Sequence, residues 1–519
     1  MDSHHPDPAS LCFEKPHTRR LIIASYWIVI LLAVPIWWKT TSIERLSLPA
    51  SRVHAEQDRK VLFPVTVNVQ SKDVSRASSL ANAVRSLLDA DKSTLKRSAI
   101  DLQLTTGNDS APYNVVFADG EEGPAVGGRK LTFDASSASH SLVDRIQDDD
   151  STRLASTLMD LLSPYSTSHQ PESQVQRVFT YSPRYRLSFS LLNEDATSGN
   201  AALAWDVQKS IQRHISPLLN KLSALHNFTI ESQVQFHAPL AFEPRPIQHD
   251  GRDAHGLIHE DLTVFVNSAQ WTLSSSVTSD PVIHFVLFIP SSKNSPLHIL
   301  TDQGSIDPSN AFLLPQWGGI VLLNPSGSSS PLSRHRLTQS HLDPIFMTFA
   351  AQLSALLGIP GLPPGVKHLA RADGTLDAFS DWELDALLRR RTLENAFSSA
   401  DTLASIVRLV DQIANMPVGQ DVKGDVQDAL AALNEVHTAA PTDPPRALLA
   451  SARALTHASR AFFNPGMLAL LYFPAEHTYA VYSPLFASLA APLVGAVLRE
   501  FAAWRKERKA RATHAQAPL

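Results

Sequence analysis

Cysteine is almost missing from this chain of 519 residues; Cys12 is the sole example. One thiol cannot make an intrachain disulfide framework. Everything after position 12 is also barred from a cysteine zinc site or a thiolate nucleophile. A strong charge imbalance is missing as well. Against 45 Lys and Arg stand 50 Asp and Glu, a formal net charge of −5. That leaves no positive excess of the kind nucleic acid asks for, and basic residues cluster at the two ends. Phosphate-binding signatures are absent too. The Gly-rich stretch Gly123-Pro-Ala-Val-Gly-Gly128 fits neither a P-loop nor a dinucleotide fingerprint. There is no Gly-x-Ser-x-Gly elbow and no His-Glu-x-x-His. The apolar share of 44% and charged share of 18% are those of an ordinary globular protein. The length allows two or three domains.

What the chain does have is two long uncharged runs. Leu21–Trp38 holds no charged side chain, with Arg19 and Arg20 before it and Lys39 after it. Its length approaches the minimum that spans a bilayer core as one helix. Trp37 and Trp38 beside Lys39 are expected to sit at the membrane interface. The bulky Pro35-Ile-Trp-Trp38 end suits a signal peptidase poorly, so the run reads as an uncleaved anchor. The second run, 478–498, opens with Tyr479 and Tyr482 as interface residues and carries Pro484 and Pro492. Arg499, Arg505, Lys506, Arg508, Lys509 and Arg511 follow it. By the positive-inside rule both ends face the cytosol and residues 39–477 face the other side. Two sequons, Asn108-Asp-Ser110 and Asn227-Phe-Thr229, are glycosylation candidates on that side.

Between the runs the pattern is mixed. Val61–Val69, Ile100–Leu104, Val115–Phe117, Leu131–Phe133, Tyr185–Leu192, Phe228–Phe236, Leu262–Val266, Val282–Ile289 and Gly319–Leu323 are expected to be strands, by alternation or β-branched content. Ser75–Asp89, Ser141–Leu162, Ala204–Leu225 and Leu342–Leu357 carry apolar residues at helical spacing. From Asp381 to Phe463 strand patterns cease and long helices are expected. The fold class is therefore an α+β, α/β-like domain with a mixed sheet (61–364) and a C-terminal helical part (381–463), flanked by two transmembrane helices at 21–38 and 478–498. Short tails at 1–20 and 499–519 complete the chain.

The densest polar cluster is His249, Asp250, Asp253, His255, His259, Glu260 and Asp261. Such donors could bind a divalent metal, but Gly251 and Gly256 argue for a solvated loop. Asp148-Asp-Asp150 reads as a solvated helix turn. No catalytic, cofactor or metal residue is assigned.

Several segments resemble the PIG-S family, accessory subunits of the GPI transamidase. They are Pro35-Ile-Trp-Trp-Lys-Thr-Thr41 with Leu48-Pro49, Pro315-Gln-Trp-Gly-Gly-Ile320, Trp382-Glu-Leu-Asp-Ala-Leu-Leu388 with Leu393-Glu-Asn395, and Leu470-Leu-Tyr-Phe-Pro474 with Tyr482-Ser-Pro-Leu-Phe486. The resemblance implies a non-catalytic component of the ER-membrane complex that joins preassembled GPI to new protein C-termini. It implies as partners a caspase-like catalytic subunit (PIG-K), PIG-T, PIG-U and a metallopeptidase-like membrane subunit, with no cofactor of its own. Trp317 is expected to fill the core. An independent lumenal hydrolase using the His249–Asp261 stretch, or a lumenal tether, is the competing reading.

Overall fold

A computed structural model describes residues 15–41, 44–90, 95, 98–107, 110–118, 123–134, 143–165, 178–198, 201–249, 251–273, 279–324, 336–369, 377–413, 416–468 and 475–514. Its helices are α1 (Pro16–Thr41), α2 (Ala50–Asp58), α3 (Val74–Ala90), α4 (Val143–Leu162), α5 (207–222, with a π-helical turn at Ile211–Ile215), α6 (His259–Thr263), α7 (Gln339–Leu357), α8 (Asp381–Gln412), α9 (Gln420–Ala439), α10 (Pro444–Phe462), α11 (Pro465–Leu468) and α12 (Ala475–His514). Two compact units result. One holds Asp58–Ser399 and Ala429–Thr456; the other holds Met1–Gln57, Ala400–Asp428 and His457–Leu519.

In the first unit, alternation in Val65-Thr-Val-Asn-Val69 gives one apolar and one polar face. This strand, β1 (Phe63–Ser71), pairs in parallel with β2 (Ile100–Thr106) and β3 (Tyr113–Ala118), and β3 pairs in parallel with β5 (Lys130–Asp134). β4 (Ala125–Gly127) runs antiparallel to β5, and β16 (Lys367–His368) lies beside β4. Val65, Val67, Val69, Val115, Phe117, Leu131 and Phe133 form a core with Leu80 and Val84 of α3 and Leu154 and Leu158 of α4. The other face presents Thr66, Asn68, Asp101, Gln103 and Asn114. Fully buried Asn68 is satisfied there by donating to Asn114 Oδ1 at 3.3 Å.

A second sheet has the order β13-β14-β11-β6-β8. β6 (Arg184–Asn193), β8 (Asn227–Gln235), β11 (Val282–Ile289) and β14 (Gly318–Leu322) are parallel, and β13 (Ala311–Leu314) is antiparallel. Here alternation fades: Val-Ile-His-Phe-Val-Leu-Phe-Ile in β11 is buried on both faces, as expected of a covered parallel sheet. One face stacks Phe189 on Phe285 at 5.1 Å and packs Phe346 and Phe349 of α7 against them. The opposite face seats Phe288 against Phe265 and Trp271. The hairpin of β9 (Arg245–His249) and β10 (Arg252–Leu257) also closes this side, with β12 (Leu297–Ile299) parallel to β10.

Three expectations need correction. The stretch from His249 to Asp261 is not one solvated loop: His249 ends β9, β10 follows from Arg252, and His259–Asp261 begin α6, while Asp250 lies outside the described residues. Gly251 at φ +70° makes the hairpin turn, a conformation glycine adopts without strain. Leu262–Val266 is not a strand, because Asp261 Oδ2 accepts from Ile258 N–H at 3.0 Å and starts α6. The helix expected over Ala204–Leu225 begins later, since β7 (Ala204–Trp205) pairs with β15 (Arg336–Leu337).

The second unit contains the ends of the chain. α1 runs for 26 residues, about 39 Å, and α12 for 40. By length and composition, His17–Ile36 and Ala480–Lys506 could each cross a membrane. Leu31, Leu32 and Ile36 lie roughly two-thirds exposed, at 65%, 68% and 68%. Glu500 of α12 accepts from Arg20 Nε at 3.0 Å and also pairs with Arg19. The start of α1 thus meets the far end of the apolar part of α12, and the two helices run antiparallel. Just past α1, Leu46 N–H donates to Val418 O and Val418 N–H to Glu44 O, at 3.0 and 2.9 Å.

Candidate functional site: the start of the long helix

Ser380-Asp-Trp-Glu383 is a capping sequence: a serine followed three residues later by a glutamate. The structure bears this out. Ser380 N–H and Oγ both donate to Glu383 Oε2, at 2.6 and 2.8 Å, and Glu383 N–H returns a bond to Ser380 Oγ at 3.4 Å. Burial holds the Glu383 carboxyl above its usual range, against the opposing effect of these bonds. With the helix start fixed, each following residue reaches a different neighbour. Trp382 enters the core of the first sheet, its ring 4.4 Å from that of Tyr113. Leu387 and Leu388 enter the core of the second. Asp385 accepts from Tyr113 Oη at 2.6 Å and, in a fork, from Arg129 Nε and Nη2 at 2.9 and 3.1 Å. Burial, first of all, pushes the Tyr113 hydroxyl far above its usual pKa.

Three successive arginines extend the pattern. Arg389 Nη2 donates to Leu162 O, at the end of α4, at 3.2 Å. The Arg390 guanidinium lies over the Tyr165 ring at 4.1 Å, while Tyr165 Oη donates to Gly358 O at 2.8 Å. Arg391, 3% exposed, donates from Nη2 to Phe179 O and to Leu357 O, each at 3.0 Å. Leu357 ends α7, and the final carbonyls of a helix lack internal partners and carry its negative dipole end. Glu394 accepts from Arg390 and Arg391 at 2.6 and 2.8 Å. Asn395 donates to Ser451 Oγ of α10 at 3.2 Å. One helical stretch therefore ties both sheets, two helix ends and α10 together. This is a fastening site rather than a reaction centre.

The Trp-Gly-Gly segment is likewise structural. Trp317 is half-buried and stacks on His284, ring centres 4.8 Å apart. A Cβ on Gly318 would lie 1.9 Å from His284 O, and one on Gly319 would lie 2.0 Å from Gln352 Oε1. Burial lowers His284 to a pKa of about 4. His226, which donates from Nδ1 to Ser182 O at 2.6 Å, is lowered to about 4 for the same reason.

The residues expected to act elsewhere are dispersed. Asn227 is the exposed first residue of edge strand β8; Asn108 and Cys12 lie outside the described residues. Trp37, Trp38 and an exposed Lys39 fall in the last turns of α1, and Tyr479 and Tyr482 in the first turns of α12, Tyr482 with its ring 6.3 Å from Phe486. Leu470–Pro474 is outside the described residues. In the histidine-rich stretch, Asp253 accepts from Gln248, Asp261 caps α6, and His249 packs edge-on to His298. His259 lines a largely apolar cavity of about 620 Å³ with Phe312, Leu314 and Gln352. Among the described residues, donor atoms that do gather within 4.8 Å of one another are those of Asp425, Asp428 and His457. There Asp425 already accepts from His457 Nδ1 at 3.0 Å and pairs with Arg460 at 3.3 Å.

Arg389, Arg390 and Arg391 were invisible to sequence reasoning, since a basic run on a helix normally reads as a solvated face. The usable signal was the capping sequence just before them.

The sequence profile described as "Phosphatidylinositol-glycan biosynthesis class S protein", PIG-S, matches residues 24–507. A rat protein named GPI-anchor transamidase component PIGS is 34% identical over 67% of this chain and 64% of its own length. Its human counterpart is 29% identical over 93% of this chain and 95% of its own length. The fission yeast GPI transamidase component PIG-S homolog is 27% identical over 98% and 89%. The profile takes in most of both apolar helices, both sheets and the fastening helix, and the chain belongs to the PIG-S family.

Proposed function

We propose that the chain, a component of the GPI transamidase by its family, serves that complex by position rather than by bond-making chemistry. The observation that carries this is the use made of Trp382–Asn395. These residues, one of the segments that carry the family resemblance, are spent on joining the sheets and helix ends of the chain itself. In this reading α1 and α12 cross the ER membrane, with both chain ends in the cytosol and residues 39–477 in the lumen. The exposed apolar side chains of α1 and the pairing of Arg19 and Arg20 with Glu500 support that arrangement, because antiparallel spans put their basic ends on one side. Trp37, Trp38, Lys39, Tyr479 and Tyr482 set the depth of the spans, and Asn108 and Asn227 are lumenal glycan acceptors. The domain limits 61–364 and 381–463 describe the mixed and the helical parts of the lumenal body.

The catalytic cysteine then lies on a caspase-like subunit, PIG-K, which this body holds near the membrane together with PIG-T, PIG-U and the metallopeptidase-like subunit. Holding two reactants in register removes much of the entropic barrier to their meeting. Purification of the tagged chain in mild detergent tests the proposal. Recovery with a caspase-like subunit and PIG-T is the expected result; a lone monomer overturns it. The hydrolase reading draws on the His249–Asp261 stretch, where Asp253 and Asp261 are engaged in local bonds.

A further inference from the structure

The cytosolic end of α12 does more than stop the span. A helix of 40 residues is about 60 Å long, roughly twice the hydrocarbon thickness of a bilayer. Beyond the uncharged stretch 478–498, Phe501, Trp504, Arg505 and Arg508 recur at spacings of three and four and so share one face. Phe501 and Trp504 are exposed at 57% and 41%, with ring centres 5.7 Å apart. The Arg508 guanidinium lies over the Trp504 ring at 5.3 Å. Side chains on a helix lean toward its N-terminus, which here is the membrane. Arg508 is therefore carried back toward the depth of Trp504 rather than out into water. Glu500, one turn before Trp504, is taken up by Arg19 and Arg20 of α1, while the Phe501 and Trp504 rings stay turned to their surroundings.

We propose that this face, Phe501–Trp504–Arg505–Arg508, is a docking site for the headgroups of anionic phospholipids in the leaflet where α12 emerges. Indole and phenyl rings favour the headgroup layer. Guanidinium groups match phosphate oxygens in a fork and stack on rings without losing charge. The inference rests on the reading that α12 crosses the bilayer.

The test uses the full chain reconstituted in phosphatidylcholine vesicles carrying a trace of spin-labelled phosphatidylserine or spin-labelled phosphatidylcholine. Electron paramagnetic resonance gives the share of each lipid slowed by the protein. The expected result is a preference for phosphatidylserine of roughly fivefold or more, the worth of one basic residue near an anionic surface. It should weaken with added salt and fall close to unity in Arg505→Gln/Arg508→Gln. Equal slowing of the two lipids, or a preference unchanged in the double variant, overturns the docking site while leaving the span intact. Capture of a soluble acidic peptide by this face, with no lipid preference, overturns it in favour of a protein partner. Release of the chain by alkaline carbonate overturns the crossing of α12 itself.

Discussion

The two sheets of the first unit share a plan, four parallel strands with an antiparallel strand toward one edge, yet they are buried differently. In the first, one face packs on α3 and α4 and the other carries Thr66, Gln103 and Asn114. In the second, both faces of β6 and β11 are covered and aromatic rings fill each side. The second sheet is thus the rigid centre, and the fastening helix α8 attaches the half-open first sheet to it. This places stiffness in one sheet and leaves polar surface on the other, as the proposed holding role would use.

The comparison can be broken at its centre. Phe285→Ala removes a fully buried ring from the second sheet and should cost about 3–5 kcal/mol, whereas Val115→Ala in the first should cost about 2. Thermal unfolding of the purified chain in detergent measures both, and equal losses would erase the distinction. Next comes the fastening. Arg391→Leu leaves Glu394 short of a cation and two carbonyls without donors, a loss of about 3 kcal/mol. Arg129→Ala, at a site whose side chain is 49% exposed, should cost less than about 1.

Acid should single out the second sheet. His226 and His284 have folded pKa values near 4 because they are buried, while unfolded histidine titrates near 6.5. As pH falls, the unfolded chain takes up protons first. The stability is complete above about pH 6.5 and is lost progressively toward 4, with about 2 kcal/mol from each histidine gone by pH 5. Hydrogen exchange of β6 and β11 against β1 and β3, at pH 7 and pH 5, should show the selective loss. The Glu383→Ala change removes half of the capping box and should cost about 1 kcal/mol. The smallest effect belongs to the polar face: Gln103→Ala, on an exposed position of β2, should stay within about 0.5 kcal/mol in the same unfolding assay.

The same contrast explains what could be read from the sequence. β11 was legible because eight apolar or aromatic-rich residues leave no helical period, and β1 because it alternates. β9 and β10 were hidden by Gly251 and Gly256, which read as breakers. One makes the hairpin turn, and the other lets Leu300 lie against the strand, where a Cβ would come within 2.6 Å of Leu300 Cδ1. Leu262–Val266 looked like a strand because β-branched residues outvoted a local cap at Asp261. Of the fastening site, Trp382–Leu388 is legible as a family motif, but its structural role is not. The partners of Arg389 and Arg391 lie 227 and 212 residues away in the chain, beyond the reach of any local pattern.

One carboxylate near the end of the chain answers two guanidiniums near its start. Arg20 and Glu500 are 480 residues apart. A ribosome delivers the first helix long before the second exists, and domains fold in the order they emerge. The clasp at Glu500 therefore waits until all the intervening chain has been made. Until α12 has been made the first helix is without its mate, and the pair can close only once both have left the ribosome.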